Sequence, residues 1–248
     1  TVRSDLLTGL RDKKRELYQT IGQLINAYEF DDAERQLNLL LDLDEKDRFA
    51  LINKARIAIE RHNIPEAGLW LDLAKENGVK PAELIWHDAA ILILNGKLTE
   101  ARAMLNAAIP VTPSDIQLWG LLADILLRQK EYPELENRVF PALRSASSKK
   151  EHYLMYMVRG HILKHNGPKD YSAARAAFLH ALKLNRNLTA IREEVLLLDD
   201  ALGVPAFCEQ DAKTVLRQNP EHAFANFLLG TVRLSRGELD KAEDLFKR

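Results

Sequence analysis

Leu229-Gly230, then Gly237-Glu238-Leu239-Asp240-Lys241-Ala242, with Phe246 four residues further on, is the stretch whose spacing decides the fold. A second copy runs Gly96-Lys97-Leu98-Thr99-Glu100-Ala101 with Leu105 beyond it. Working outward, Ala33, Ala67 and Ala101 are each 34 residues apart, and Leu37, Leu71 and Leu105 follow each of them by four. Self-similarity at this period marks a helix–turn–helix solenoid, in which each unit hides its apolar face against its neighbours.

Unit starts fall at Lys14, Arg48, Ala82, Ile116, Tyr153, Thr189 and Ala223, with the seventh unit cut at Arg248. Counted from each start and corrected for insertions, slot eight reads Ile21, Ala55, Ala89, Ala123, Gly160, Leu196, Gly230. Slot twenty reads Ala33, Ala67, Ala101, Leu135, Ala174, Cys208, Ala242, mostly small side chains that let two helices approach closely. Slot twenty-four reads Leu37, Leu71, Leu105, Val139, Phe178, Ala212, Phe246 and fills the layer between units. Gly96, Gly167, Gly203 and Gly237 fall where first helices should end in a left-handed cap. Pro65, Pro133 and Pro205 open second helices, where a missing N–H costs little. No stretch alternates like a strand, so the fold expected is all-α, a right-handed superhelical solenoid of antiparallel helix pairs in about seven units.

On these residues the chain resembles the tetratricopeptide repeat family across 14–248, with the third and seventh units as the clearest matches. Units one, two and six depart from the pattern: Tyr28 and His62 stand where a turn glycine is expected, and Thr189–Asp200 is rich in acids.

The domain reading divides the chain into four parts. Residues 1–13 form an N-terminal helix or the remnant of a preceding unit, with Leu6, Leu7 and Leu10 at helical spacing; 14–144 hold units one to four; 145–152 are an insertion; 153–248 hold units five to seven. Pro141, inside a second helix, predicts a kink and a seam there. Thr1 is no initiator methionine and reads as the start of an excised or processed segment. Leu245 and Phe246 leave the last helix without a polar cap, which predicts either continuation or self-association through that helix.

Composition narrows the function. Thirty-five basic and 36 acidic residues give a net charge of −1, without the basic stripe of a nucleic-acid binder. Cys208 is the only cysteine, so no disulfide framework or cysteine zinc site exists. No apolar run is long enough to insert into a membrane. The compartment reads as cytoplasmic or periplasmic. Neither a phosphate loop nor a catalytic acid pair nor a nucleophile elbow occurs, so no enzyme activity, cofactor or metal is expected.

The resemblance implies a concave groove lined by slots two, five, nine, twelve and thirteen of each first helix. Here those slots supply Tyr18, Phe49, Ile52, Arg56, Trp86, Ile93, Leu127, Met157 and His161 as candidate partner-binding residues. Tyr18 and Trp86 are the aromatic anchors. The alternative is that these side chains pack against neighbouring units. The Lys/Asn/Arg clamp by which some family members grip a C-terminal carboxylate is not supplied: Tyr18 and Gly22 stand where its Lys and Asn would be needed. His161 and His165, four apart with Glu193 and Asp200 expected nearby, read as a polar patch rather than a metal site. The leading function is a non-enzymatic scaffold that holds a protein or peptide segment. The alternatives are a recruiting or regulatory domain of a larger enzyme and a structural part of a bacterial envelope or secretion assembly.

Overall fold

The computed structural model describes the backbone of residues 2–27, 29–146 and 152–248, and side chains within those ranges from residue 11 onward. The described residues are helical with short turns and no strand. The chain separates into two compact units, 1–125 and 126–248.

The first unit holds α1 (Val2–Asn26), α2 (Phe30–Leu43), α3 (Arg48–Glu60), α4 (Ile64–Glu76), α5 (Ile85–Leu94), α6 (Leu98–Ala108) and the first part of α7 (Ile116–Gln129). Consecutive helices pair as α1/α2, α3/α4 and α5/α6. The second unit holds the end of α7, α8 (Tyr132–Glu134), α9 (Phe140–Ala146), α10 (Tyr153–His165), α11 (Tyr171–Leu184), α12 (Thr189–Leu202), α13 (Pro205–Gln218), α14 (Ala223–Ser235) and α15 (Leu239–Phe246). Here α10/α11, α12/α13 and α14/α15 pair.

First helices begin at Arg48, Ile116, Tyr153, Thr189 and Ala223, as the repeat predicts. Two differ. The helix expected from Lys14 begins at Val2, so no turn separates residues 2–13 from the first unit's helix, and the side chains of Leu6, Leu7 and Leu10 lie outside the described residues. No proline stands near Lys14, and the helix runs through Gly9 unbroken. The helix expected from Ala82 starts at Ile85, because Pro81–Glu83 make a single 3-10 turn first.

Helix ends are chemically marked. The Asp47 carboxylate accepts from the Ala50 amide at 3.1 Å and the Asn63 side chain from the Glu66 amide at 3.4 Å, each satisfying a free helix-start N–H. Gly203 ends α12 at φ 63°, ψ 28°, the left-handed cap its position predicts. His62 and Lys130 adopt φ 59° without being glycine; the former sits where the sequence lacked its turn glycine. Tyr28, the other such position, lies outside the described residues. A further tie recurs: the Trp119 indole N–H donates to the Pro113 carbonyl and the Asn226 amide to the Pro220 carbonyl, both at 2.9 Å. Each donor occupies slot four and each proline the same place in the preceding unit.

Pro141 does not break its helix. A π turn at Leu135–Val139 precedes it, with the Phe140 N–H donating to the Leu135 carbonyl, and α9 continues from there. The wider turn relieves the clash between the proline ring and the carbonyl four residues back. The insertion expected at 145–152 lies mainly outside the described residues, and the division into compact units falls within α7 rather than at that insertion. Contacts in a solenoid run only between neighbours, so one proline need not dictate where it divides.

Core positions follow the repeat. All seven slot-twenty residues are buried, and so are the slot-twenty-four residues except Phe246. Cys208 is buried, its thiol facing the Asp199 carbonyl at 3.4 Å; burial pushes its pKa up, so it stays protonated and inert.

Candidate functional site

In the first unit, α3 and α5 bring Arg56 and Trp86 together. The Arg56 guanidinium lies over the Trp86 ring, 5.2 Å from its centroid. Such a stack, partly removed from water, fixes both side chains. Trp86 is half-buried and packs against a cluster that includes Ala58, Ile59, Ala67 and Ala90. Its remaining surface lines a cavity of about 450 Å³ with Ile85, Met104, Ala107, Val111 and Leu118, between α5, α6 and the start of α7. Val111 is 80% exposed at its edge. Glu83 and Asp115 complete the rim, but both are engaged: Glu83 pairs with Arg48 at 2.9 Å, and Asp115 accepts from the Gln117 amide at 2.9 Å.

Beneath the stack lies His87, 5% exposed, with its ring edge-on to Trp86 at 5.1 Å. Burial lowers its pKa to about 4, and the Arg56 charge pushes the same way. The imidazole is therefore neutral at physiological pH and adds no repulsion to Arg56. Glu60, one turn along from Arg56, has its pKa raised by burial.

Tyr18 and Phe49 also meet, with ring centroids 4.7 Å apart. Both pack against the core of α1 and α2. The Tyr18 hydroxyl donates to Asp47 at 2.6 Å, and burial together with that bond pushes its pKa up to about 12. Its polar end is thus occupied within the fold. Ile52 is half-buried against a neighbouring cluster.

Ile93 is corrected. It is 4% exposed and belongs to the core, as do Ile25 and Ile59 at the same slot. Helix α5 is apolar on nearly every side, so its slot twelve falls inside the stack instead of on a groove.

In the second unit, Leu127 is half-buried, and Met157 packs against the cluster around Phe178. The His161 ring meets Phe178 edge-on at 4.9 Å, while His165 stacks on Tyr132 at 3.8 Å. Burial lowers the His161 pKa. Glu193, expected near them, instead faces the His222 Nε2 at 2.5 Å. Among the described residues no group of three or more His, Cys, Asp or Glu side chains could hold a metal ion. None of their helices is long and apolar enough to cross a membrane.

Comparison with known proteins agrees with this architecture. Residues 92–134 and 209–248 match the tetratricopeptide repeat family. These two stretches are tetratricopeptide repeats. A tetratricopeptide repeat protein from Parabacteroides merdae superposes with a TM-score of 0.53 at 16% identity, over 94% of this chain and 90% of that one. A chain of the APC/C hetero-tetramer Cut9-Hcn1 gives 0.64 at 15% identity, over 88% of this chain and 46% of that one. At these identities the likeness is one of fold. No curated protein matches the sequence. Tetratricopeptide repeat domains generally mediate protein–protein interactions, and no enzyme family matches.

Sequence reasoning placed Arg56 and Trp86 on one groove, and the structure brings them into contact. It missed the cavity beside them, because Met104, Ala107 and Val111 come from a second helix and the turn after it, outside the groove slots.

Proposed function

We propose that this protein is a non-enzymatic scaffold that holds an apolar or amphipathic segment of a protein partner at the α3/α5 face. The observation that carries this reading is Trp86, stacked under Arg56 and lining the cavity of about 450 Å³. A rigid aromatic beside an apolar recess is the usual form of a binding hot spot. The recess takes an apolar side chain, and the Arg56 guanidinium steadies the Trp86 ring beside it. The test is affinity capture with wild-type protein and Trp86→Ala side by side, followed by reconstitution with the purified partner. Loss of that partner in a variant that melts normally supports the reading. An unchanged capture removes it.

The C-terminal face is a second contact surface in this reading. Phe227 and Phe246 are each about half exposed, with rings 6.2 Å apart, and Leu239, on the same helix as Phe246, is 64% exposed. Self-association there is expected to appear as concentration-dependent mass in sedimentation, abolished by Phe227→Ser.

A further inference from the structure

The second unit contains another recess, of about 290 Å³, between α11, α12 and α13. Its floor is apolar: Leu179, Leu182, Val195, Leu196 and Val215. Its rim carries Lys183, Arg186 and Arg192. None of the three forms an ion pair with a described acid. The one acid lining the recess, Asp211, is engaged by Arg175. Arg192 is positioned by a bond from its Nη2 to the Arg186 carbonyl at 2.5 Å, yet its Nε is buried with no acceptor. A buried guanidinium N–H without a partner is costly, while Lys183 and Arg186 are exposed and give the rim a positive charge that an anion can reach.

The volume falls at the lower edge of small-ligand pockets, which run from about 300 Å³. It accommodates one anchor side chain of a longer partner. Nucleic acid fits poorly, because it needs an extended positive surface and the chain's net charge is −1. The recess is also distinct from the groove positions: none of the sixth unit's groove slots, Ala190, Glu193, Leu197, Asp200 and Ala201, lines it.

We propose that this recess is a second docking site, for a peptide segment in which one bulky apolar side chain is flanked by carboxylates. The apolar side chain enters between Leu182 and Val215, and the carboxylates meet Arg186 and Arg192.

The test uses the full chain and a set of dye-labelled hexapeptides, each with Leu, Ile, Met or Phe at the centre and acids on both sides. Matched peptides carry lysines in place of the acids or alanine at the centre. The expected result in fluorescence polarisation is that at least one acidic, apolar-centred peptide binds tenfold or more tighter than both its matched controls. Arg186→Gln with Arg192→Gln weakens that binding tenfold or more. Thr214→Trp, which keeps every charge but fills the recess, does the same and guards against a folding defect in the first variant. Trp86→Ala leaves it unchanged. The proposal is overturned if no acidic peptide outperforms its lysine counterpart, if binding survives Thr214→Trp, or if Trp86→Ala, melting normally, abolishes it.

Discussion

Phe178 occupies the space that a side chain on Gly160 would need: a Cβ there would lie 2.4 Å from the ring's Cε1. The ring is wholly buried and cannot swing aside. The same relationship recurs between Gly230 and Phe246, again at 2.4 Å. Gly160 and Gly230 stand at slot eight, and both phenylalanines at slot twenty-four. Elsewhere the two slots trade volume. Ala55 shares a core cluster with Leu71, and the order reverses at Leu196 and Ala212. In these four units a larger side chain in one slot meets a smaller one in the other, as close packing demands, whereas the first unit places Ile21 and Leu37 together.

Gly160→Ala is accordingly expected to destabilise the second unit. Overpacking costs roughly 1–3 kcal/mol, against which alanine returns about 1 kcal/mol of helix propensity. Pairing it with Phe178→Leu should recover most of the loss, the coupling being read from midpoints of urea unfolding in a double-mutant cycle. Gly68→Ala is the control: it lies inside α4 with nothing within 4 Å of its Cβ, and should stabilise by about 0.5–1 kcal/mol. Equal effects at the two glycines would refute the volume argument.

Much of this architecture was legible in the sequence because the repeat samples each packing position seven times. Slots twenty and twenty-four identified the core, and five first-helix starts fell where the period put them. The exceptions are local. The 3-10 turn before Ile85 and the π turn before Pro141 change backbone geometry without altering the hydrophobic period. Ile93 was misread because a helix apolar on most sides gives no moment to say which side faces out. The two recesses were invisible because each is walled by side chains of three consecutive helices, most of them outside the groove slots.

Trp86→Ala should weaken binding of the groove partner by more than ~1 kcal/mol. Arg56→Ala should have a smaller effect in the same direction, since it removes only the group that steadies the ring. Titration calorimetry with the reconstituted partner measures both. Because Trp86 also touches the cluster of Ala58 and Ile59, thermal melts must accompany the titrations. A variant that unfolds assigns Trp86 to the core instead.

His87 sets a pH dependence. Its folded pKa of about 4 lies below the ordinary 6.5, so between those values the unfolded chain binds the extra proton. Stability contributed by this residue is full above pH 6.5 and is lost as pH falls towards 4. At pH 4.5 the loss is on the order of 2 kcal/mol. His87→Leu should flatten that limb when urea midpoints are compared from pH 7 to pH 4.5. An unaltered slope would mean that other groups govern it.

Arg175 offers the sharpest energetic test in the second unit. Its guanidinium pairs with Asp199 at 2.5 Å, reaches Asp211, and lies 3.9 Å over the Phe207 ring. Asp199 has no exposed surface, and burial raises its pKa to about 6 despite the arginine. Removing Arg175 alone strands that carboxyl group, so Arg175→Met should cost about 3–5 kcal/mol. Replacing both partners, Arg175→Met with Asp199→Leu, removes the stranded charge as well as the pair. The double variant should regain most of the loss, because a buried ion pair rarely outperforms well-packed apolar side chains. Urea midpoints of the two single variants and the double decide it. A double variant as weak as Arg175→Met would mean that the arginine acts mainly through Asp211 and Phe207.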